Sequence, residues 1–270
     1  MPRRFRCVPL VSLIALAPVA DAELIWHWED RFSDADKEKL TRWVTETVAG
    51  VERLVAPYPF DVHIHFHRTW STRGPVPWAN TVRSRRQGVN FNVDPRYSSG
   101  ELLANWTASH ELSHLLLPYL GRRHSWFAEG FASYMQYQVM LELGVITEKQ
   151  AQARYQARIG RAERRYDMDD TPFVEAAPTL RARRQYPTMY WGGAVYFLRV
   201  DRELRETGQS LVEVVRDFVE CCRSNTRGLN RLVAELDRLS GGTIFKEQLD
   251  LIRTEPGFPD DSEVWEDGAE

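Results

Sequence analysis

Cysteine is scarce in this sequence, and its placement excludes a disulfide-built fold. Of three cysteines in 270 residues, Cys7 falls in an N-terminal leader, and only Cys221 and Cys222 follow it. Adjacent cysteines make either a vicinal disulfide or two neighbouring thiols on a helix. Neither staples distant segments, so stability must come from packing. Lysine is rare too, four against 31 arginines, which we read as compositional bias. With a formal charge of -3 and no basic ribbon studded with aromatics, nucleic acid is not expected as a partner. Downstream of the leader no apolar run is long enough to cross a bilayer. Internal repeats are absent, and the Gly192-Gly193 pair lacks the spacing of a phosphate loop.

The leader has its own pattern. A basic "MPRRFR" precedes the short apolar "CVPLVSLIALAPVA", and Ala20-Asp21-Ala22 supplies small residues at a cleavage position. This predicts a signal peptide over residues 1–22 and an exported protein, periplasmic or secreted, with no stable membrane span after cleavage. The mature chain would hold 248 residues with a charge of -5, because three Arg and one Asp depart. That length can bury one good core.

Strand signals come first along the mature chain and helix signals after. "ELIWHW" reads as an opening strand, and Asp34 to Leu54 as an amphipathic helix. "DVHIHFHRTW" alternates with period two, placing Val62, Ile64 and Phe66 on one face and His63, His65 and His67 on the other. "GVNFNVDP" reads as another short strand. Ser98 and Glu101 form a capping box that opens a helix from Leu102 to Leu117, ended by Pro118 and Gly121. Helices are predicted over about 126–143, 147–165, 189–207, 211–221, 229–239 and 245–252, with "DMDDTPFVEAAPTLRARRQYPT" as an irregular connection. The expected organisation is α+β: a strand-rich part over 23–98, a helical part over 99–254, and a frayed acidic tail over 255–270.

The chemistry concentrates in "TASHELSHLLLPYLGRRHSWFAEGFASY", residues 107–134. His110-Glu111-Leu112-Ser113-His114 is an H-E-x-x-H pattern. On a helix, residues four apart are about 400° around the axis, so the two imidazoles stand nearly above one another with the bite of one tetrahedral zinc. Glu111 is offset by about 100° and can face a reacting water without ligating the metal. A catalytic zinc site needs a third protein ligand. Glu129 follows His114 by fifteen positions, which lets a second helix return and point it at the histidine pair; His124 is the rival. A metzincin arrangement fails because Leu117 and Leu120 stand where it requires Gly and His. The His63/His65/His67 stripe reads as the outer face of a half-buried strand and not as a metal clip.

"HELSH…WFAEGFASY" resembles the gluzincin metallopeptidases, particularly the aminopeptidase-N and glycyl-aminopeptidase families. There the zinc-binding Glu lies in an E-G-F-[AT]-x-Y run, here Glu129-Gly130-Phe131-Ala132-Ser133-Tyr134. The resemblance covers about residues 100–252 and implies a thermolysin-like zincin core. Zn(2+) would be held by His110, His114 and Glu129, with Glu111 as general base. "YWGGAVYFLRVDRELRETGQSLVEVVRDF" is similar to the segment beginning Tyr-x-Lys-Gly in these families. It implies Tyr190 as the donor that stabilises the oxyanion, with Gly192 in place of the usual Lys. From the residues alone, Tyr186 and Tyr196 compete with Tyr190 for that place. A Gly-x-Met-Glu-Asn-like segment, whose Glu holds the substrate amino terminus in many such aminopeptidases, is missing.

The implied function is hydrolysis of peptide bonds in a peptide or protein substrate, through a metal-activated water, with endo- and aminopeptidase action both open. The alternative is an exported zinc-binding or degenerate relative that serves as a peptide- or protein-binding module of the envelope. All the catalytic letters are present, and loss of Glu111 would be the first mark of degeneration. Ser133 and Asp201 are the candidates to hydrogen-bond the outer nitrogens of the histidines and orient them.

Overall fold

A computed structural model describes residues 22–265 of the chain. The expected signal peptide lies, apart from Ala22, outside the described residues.

A four-stranded mixed sheet is built from the first part of the chain. Strands β1 (Leu24–Trp28), β2 (Val62–Arg68), β3 (Trp78–Arg83) and β4 (Gln87–Val93) stand in the order β1-β2-β4-β3. β1 and β2 pair in parallel, with helix α1 (Asp34–Leu54) as the crossover between them, and β2 pairs in parallel with β4. β3 closes the sheet as an antiparallel edge, Trp78 opposite Asn92. Val62, Ile64 and Phe66 are fully buried, as their alternation requires. The outward histidines His63 and His65 stack with His27 of β1 on the other face.

The second half is helical. α2 (Ser99–Ala104) and α3 (Thr107–Ser113) lead through a 3-10 turn at His114–Leu116 to α4 (Ser125–Glu142) and α5 (Glu148–Glu163). α6 (Phe173–Ala182), α7 (Tyr186–Glu206), α8 (Leu211–Cys221), α9 (Leu229–Ser240) and α10 (Ile244–Thr254) complete the body. α4 is buried nearly all round, carrying Trp126, Phe127, Phe131, Tyr134 and Met135 at 1% exposure or less. Each such side chain contributes roughly 1.5–3 kcal/mol of burial. The α+β class, a small N-terminal mixed sheet followed by a mainly helical lobe, is therefore as the sequence implies.

Four local expectations are corrected. The helix expected to run unbroken from 102 to 117 is split, because Asn105 adopts an extended backbone and its Oδ1 accepts the Thr107 amide at 3.0 Å, which restarts the helix. β3 went unread, since its partly buried residues show no alternation. The connection after Asp167 contains α6, which takes up Pro178 in its interior. Residues 255–265 are no frayed tail: Phe258 packs on Tyr166 and Phe173, and Ser262–Trp265 form a 3-10 turn. The open question at Cys221 and Cys222 resolves as a vicinal disulfide at the end of α8.

Candidate metal centre

α3 and α4 meet beneath the edge strand β3, and their contact brings the motif residues together. His110 and His114 are almost wholly buried, at 3% and 6% exposure. The Glu129 carboxylate enters from α4, one turn past the start of that helix. Its Oε2 lies 3.3 Å from His110 Nε2 and 3.4 Å from His114 Nε2. Ligand atoms of these three residues all lie within 4.8 Å of one another. No other group of three His, Cys, Asp or Glu among the described residues does this. The rival His124 stands outside the group, on the turn before α4.

The two carboxylate–imidazole separations fit a metal better than they fit hydrogen bonds. A tetrahedral ion with bonds of about 2.0–2.1 Å holds its donors about 3.3–3.4 Å apart, whereas an imidazole–carboxylate bond closes to about 2.7–2.9 Å. His110 Nδ1 lies 3.0 Å from Gln136 Oε1. A carbonyl oxygen only accepts, so Nδ1 carries the proton and Nε2 turns a lone pair toward the centre. Lone pairs and a carboxylate crowded in a buried space call for a cation. The electrostatics agree in sign. Burial alone would push His110 down, but Glu129 and Glu111 outweigh it and hold its pKa up. Burial likewise opposes the Glu129 charge, and the two histidines override it and hold that carboxyl well below the usual range. The residues present therefore fit a zinc-like ion.

Several contacts fix the frame. Tyr58 Oη donates to the Leu112 carbonyl at 2.9 Å. Beyond α3, the buried Arg223 and the partly buried Arg83 take up carbonyls: Arg223 Nε donates to Leu115 O and Arg83 Nη1 to Leu117 O, both at 2.7 Å. Cations suit the carbonyl end of a helix. Burial pushes Arg83 down to about 10, with Glu129 and Glu111 opposing that shift.

Glu111 stands apart from the chelating group. Thr81 of β3 reaches it, its Oγ1 lying 2.8 Å from Glu111 Oε2 and 3.1 Å from the Glu111 carbonyl. Tyr190, on α7, lies over His110 with ring centroids 6.1 Å apart. Burial, together with the facing carboxylates of Glu129 and Glu111, pushes its phenol far up, so it stays protonated. Of its competitors, Tyr196 is core, with Oη donating to Phe245 O at 2.9 Å, and Tyr186 sits beside Tyr190 at the cleft rim.

Sequence reasoning missed Gln136 and Thr81. Gln136 lies seven residues after Glu129, two turns along the same helix face, and that spacing was the available signal. Of the candidates offered instead, Asp201 caps α8 through Leu211 N at 2.8 Å and binds Arg205, while Ser133 is buried in α4. The His63/His65/His67 stripe does not line the cleft.

The cleft over the centre has a volume of about 690 Å³ and runs between β3, α3, the turn at Gly121 and the start of α7. Five large hydrophobic side chains are exposed on the described surface, and four of them, Trp78, Trp106, Tyr119 and Tyr186, line this cleft. Exposed apolar side chains gathered in one place mark a binding surface. No helix among the described residues is long and apolar enough to cross a membrane.

Comparison with known proteins agrees with this geometry. The family model described as M61 glycyl aminopeptidase matches residues 120–192. No curated protein sequence matches the chain. Among solved structures, an aminopeptidase N family protein from Idiomarina loihiensis superposes with a TM-score of 0.58 at 16% identity, covering 89% of this chain and 46% of that one. An M1 zinc metallopeptidase from Deinococcus radiodurans gives 0.54 at 14% identity, covering 87% and 49%. A mutant of the Deinococcus radiodurans M1 enzyme bound to a Tyr-Ser-Ala substrate gives 0.55 at 13%, covering 86% and 49%. The chain thus spans about half the length of the solved structures it resembles. At such identities the likeness speaks for the fold: a gluzincin-like zinc metallopeptidase fold, resembling the glycyl-aminopeptidase and aminopeptidase-N families, with a His-His-Glu group poised to chelate a metal.

Proposed function

We propose that the protein is an exported zinc-dependent peptidase. The observation that carries this reading is the convergence of His110, His114 and Glu129 on one point, with a further carboxylate, Glu111, beside the group and outside it. When bound, the metal supplies a Lewis acid and lowers the pKa of water toward neutrality.

The chain's own residues do the rest. Glu111, steadied by Thr81, takes a proton from the attacking water and delivers it to the leaving amine, as general base and then general acid. Tyr190 donates its phenolic hydrogen to the oxygen of the scissile carbonyl as negative charge develops there. The aromatic side chains of the cleft bury the substrate's apolar groups and exclude water around the reacting bond. The substrate class is peptide or protein, in keeping with the Tyr-Ser-Ala bound by the related Deinococcus radiodurans structure. Residues 1–22 support export to the periplasm or medium.

Elemental analysis should find one zinc per chain, and a mixed peptide library should be cut in a chelator-sensitive manner. Glu111→Gln should keep the zinc and lose turnover. One zinc with no cleavage of any peptide would instead favour a peptide- or protein-binding module.

A further inference from the structure

The cleft is unequal in its charges. Among the described residues lining it, the only carboxylates are Glu111 and Glu129, and both are engaged, one by Thr81 and the other by the histidine pair. A protonated amino terminus needs an anionic partner, and none is left over. β3, the strand that faces the cleft, presents Trp78-Ala79-Asn80-Thr81 and then Arg83, with no acidic side chain.

Cations, by contrast, are to spare. Arg83 is partly buried and its guanidinium is engaged with the Leu117 carbonyl. Arg122 is exposed and Arg181 half-buried. They meet at the junction of the Gly121 turn and the last turn of α6, where Arg181 Nη1 donates to the Arg122 carbonyl at 3.4 Å. Neither forms an ion pair with a carboxylate among the described residues, whereas the nearby Arg183 binds Asp167 at 3.2 Å. Two guanidinium groups at a cleft wall without a carboxylate of their own can accept one from a ligand, and arginine suits that pairing by its planar fork.

We propose that Arg122 and Arg181 form a carboxylate-binding subsite, so that this cleft takes acidic peptide segments and does not require a free amino terminus. The subsite deepens the peptidase reading and rests on it. The carboxylate can be an Asp or Glu side chain or the terminal carboxylate of a peptide, and the two sources are separable.

The test uses the zinc-loaded chain for turnover and its Glu111→Gln variant for binding by calorimetry. Peptides of one sequence are compared as Glu against Gln, N-acetylated against free, and C-terminal acid against amide. The Glu or the acid form should be favoured about three- to tenfold, the size of a charge-assisted contact partly open to water. Whichever comparison shows the preference identifies the source. Arg122→Gln with Arg181→Gln should bring that ratio close to one, and Lys at both positions should restore part of it. Acetylation should leave kcat/KM within about twofold, the scale of a contact that carries no binding energy. Loss of turnover on acetylation, equal handling of the charged and neutral peptides, or a ratio untouched in the double variant each overturns the proposal. Charge-dependent binding of acetylated peptide that the arginine variants erase supports the subsite even if nothing is cut. In that event only the peptidase reading falls.

Discussion

Gly193 of α7 lies directly against Gly130 of α4. A Cβ on Gly193 would come within 2.2 Å of the Trp126 carbonyl oxygen, and one on Gly130 within 2.3 Å of the Gly193 carbonyl carbon. Both clashes are with backbone, which cannot swing aside. The contact locks the helix carrying Glu129 to the helix carrying Tyr190, so the spacing of ligand and phenol is set by two absent side chains. Gly193→Ala is expected to destabilise the protein by about 1–3 kcal/mol through overpacking, read as a lower unfolding midpoint. An unchanged midpoint would show that the helices separate without cost.

Gln136 provides a second test. Its carbonyl oxygen fixes the His110 tautomer, so Gln136→Leu should weaken zinc about 10- to 100-fold in competition with a chromophoric chelator. Gln136→Glu keeps an acceptor and should retain most of the affinity. If both variants hold zinc like the parent, the tautomer argument is wrong.

These two cases show what could be read from the sequence. Imidazole and carboxylate side chains declare their chemistry, so the grouping of His110, His114 and Glu129, with Glu111 beside it, was legible from residue type and spacing. Gln136 and Thr81 are ordinary neutral residues whose part depends on which neighbour the fold brings opposite; the helical spacing from Glu129 was the one signal for Gln136, and Thr81 had none. β3 was hidden for a related reason: every residue of an edge strand over a cleft is partly exposed, which erases the alternation. α6 was masked by Pro178, which its neighbours tolerate because Phe173, Ala176, Ala177 and Leu180 bury one face. α1 and β2, buried on one side only, carried their periods plainly.

Tyr190→Phe separates chemistry from architecture. The ring packing on His110 is kept, and only the donor is lost. The expected loss is about 2.7–4 kcal/mol of transition-state stabilisation, or about 100- to 1000-fold in kcat, with unchanged zinc content and unchanged unfolding midpoint. A variant that turns over normally would remove Tyr190 from the proposed mechanism while leaving the metal group untouched.

Asp94, at the end of β4, predicts how stability changes in acid. The carboxylate is fully buried, accepts the Ser71 amide at 2.8 Å and the Arg96 amide at 3.1 Å, and pairs with the Arg96 guanidinium. The guanidinium bond holds its pKa far below the ordinary carboxylate value, burial opposing and the backbone amides assisting. Because the folded value is the lower one, the folded state binds fewer protons than the unfolded chain. The stabilisation is therefore complete above the unfolded pKa of about 3.9 and is lost as pH falls through and below it toward the folded pKa. Urea midpoints measured from about pH 6 down to about pH 3 should fall more steeply for the parent than for Asp94→Asn, which has no proton to bind there. Parallel curves would mean that Asp94 does not carry this linkage.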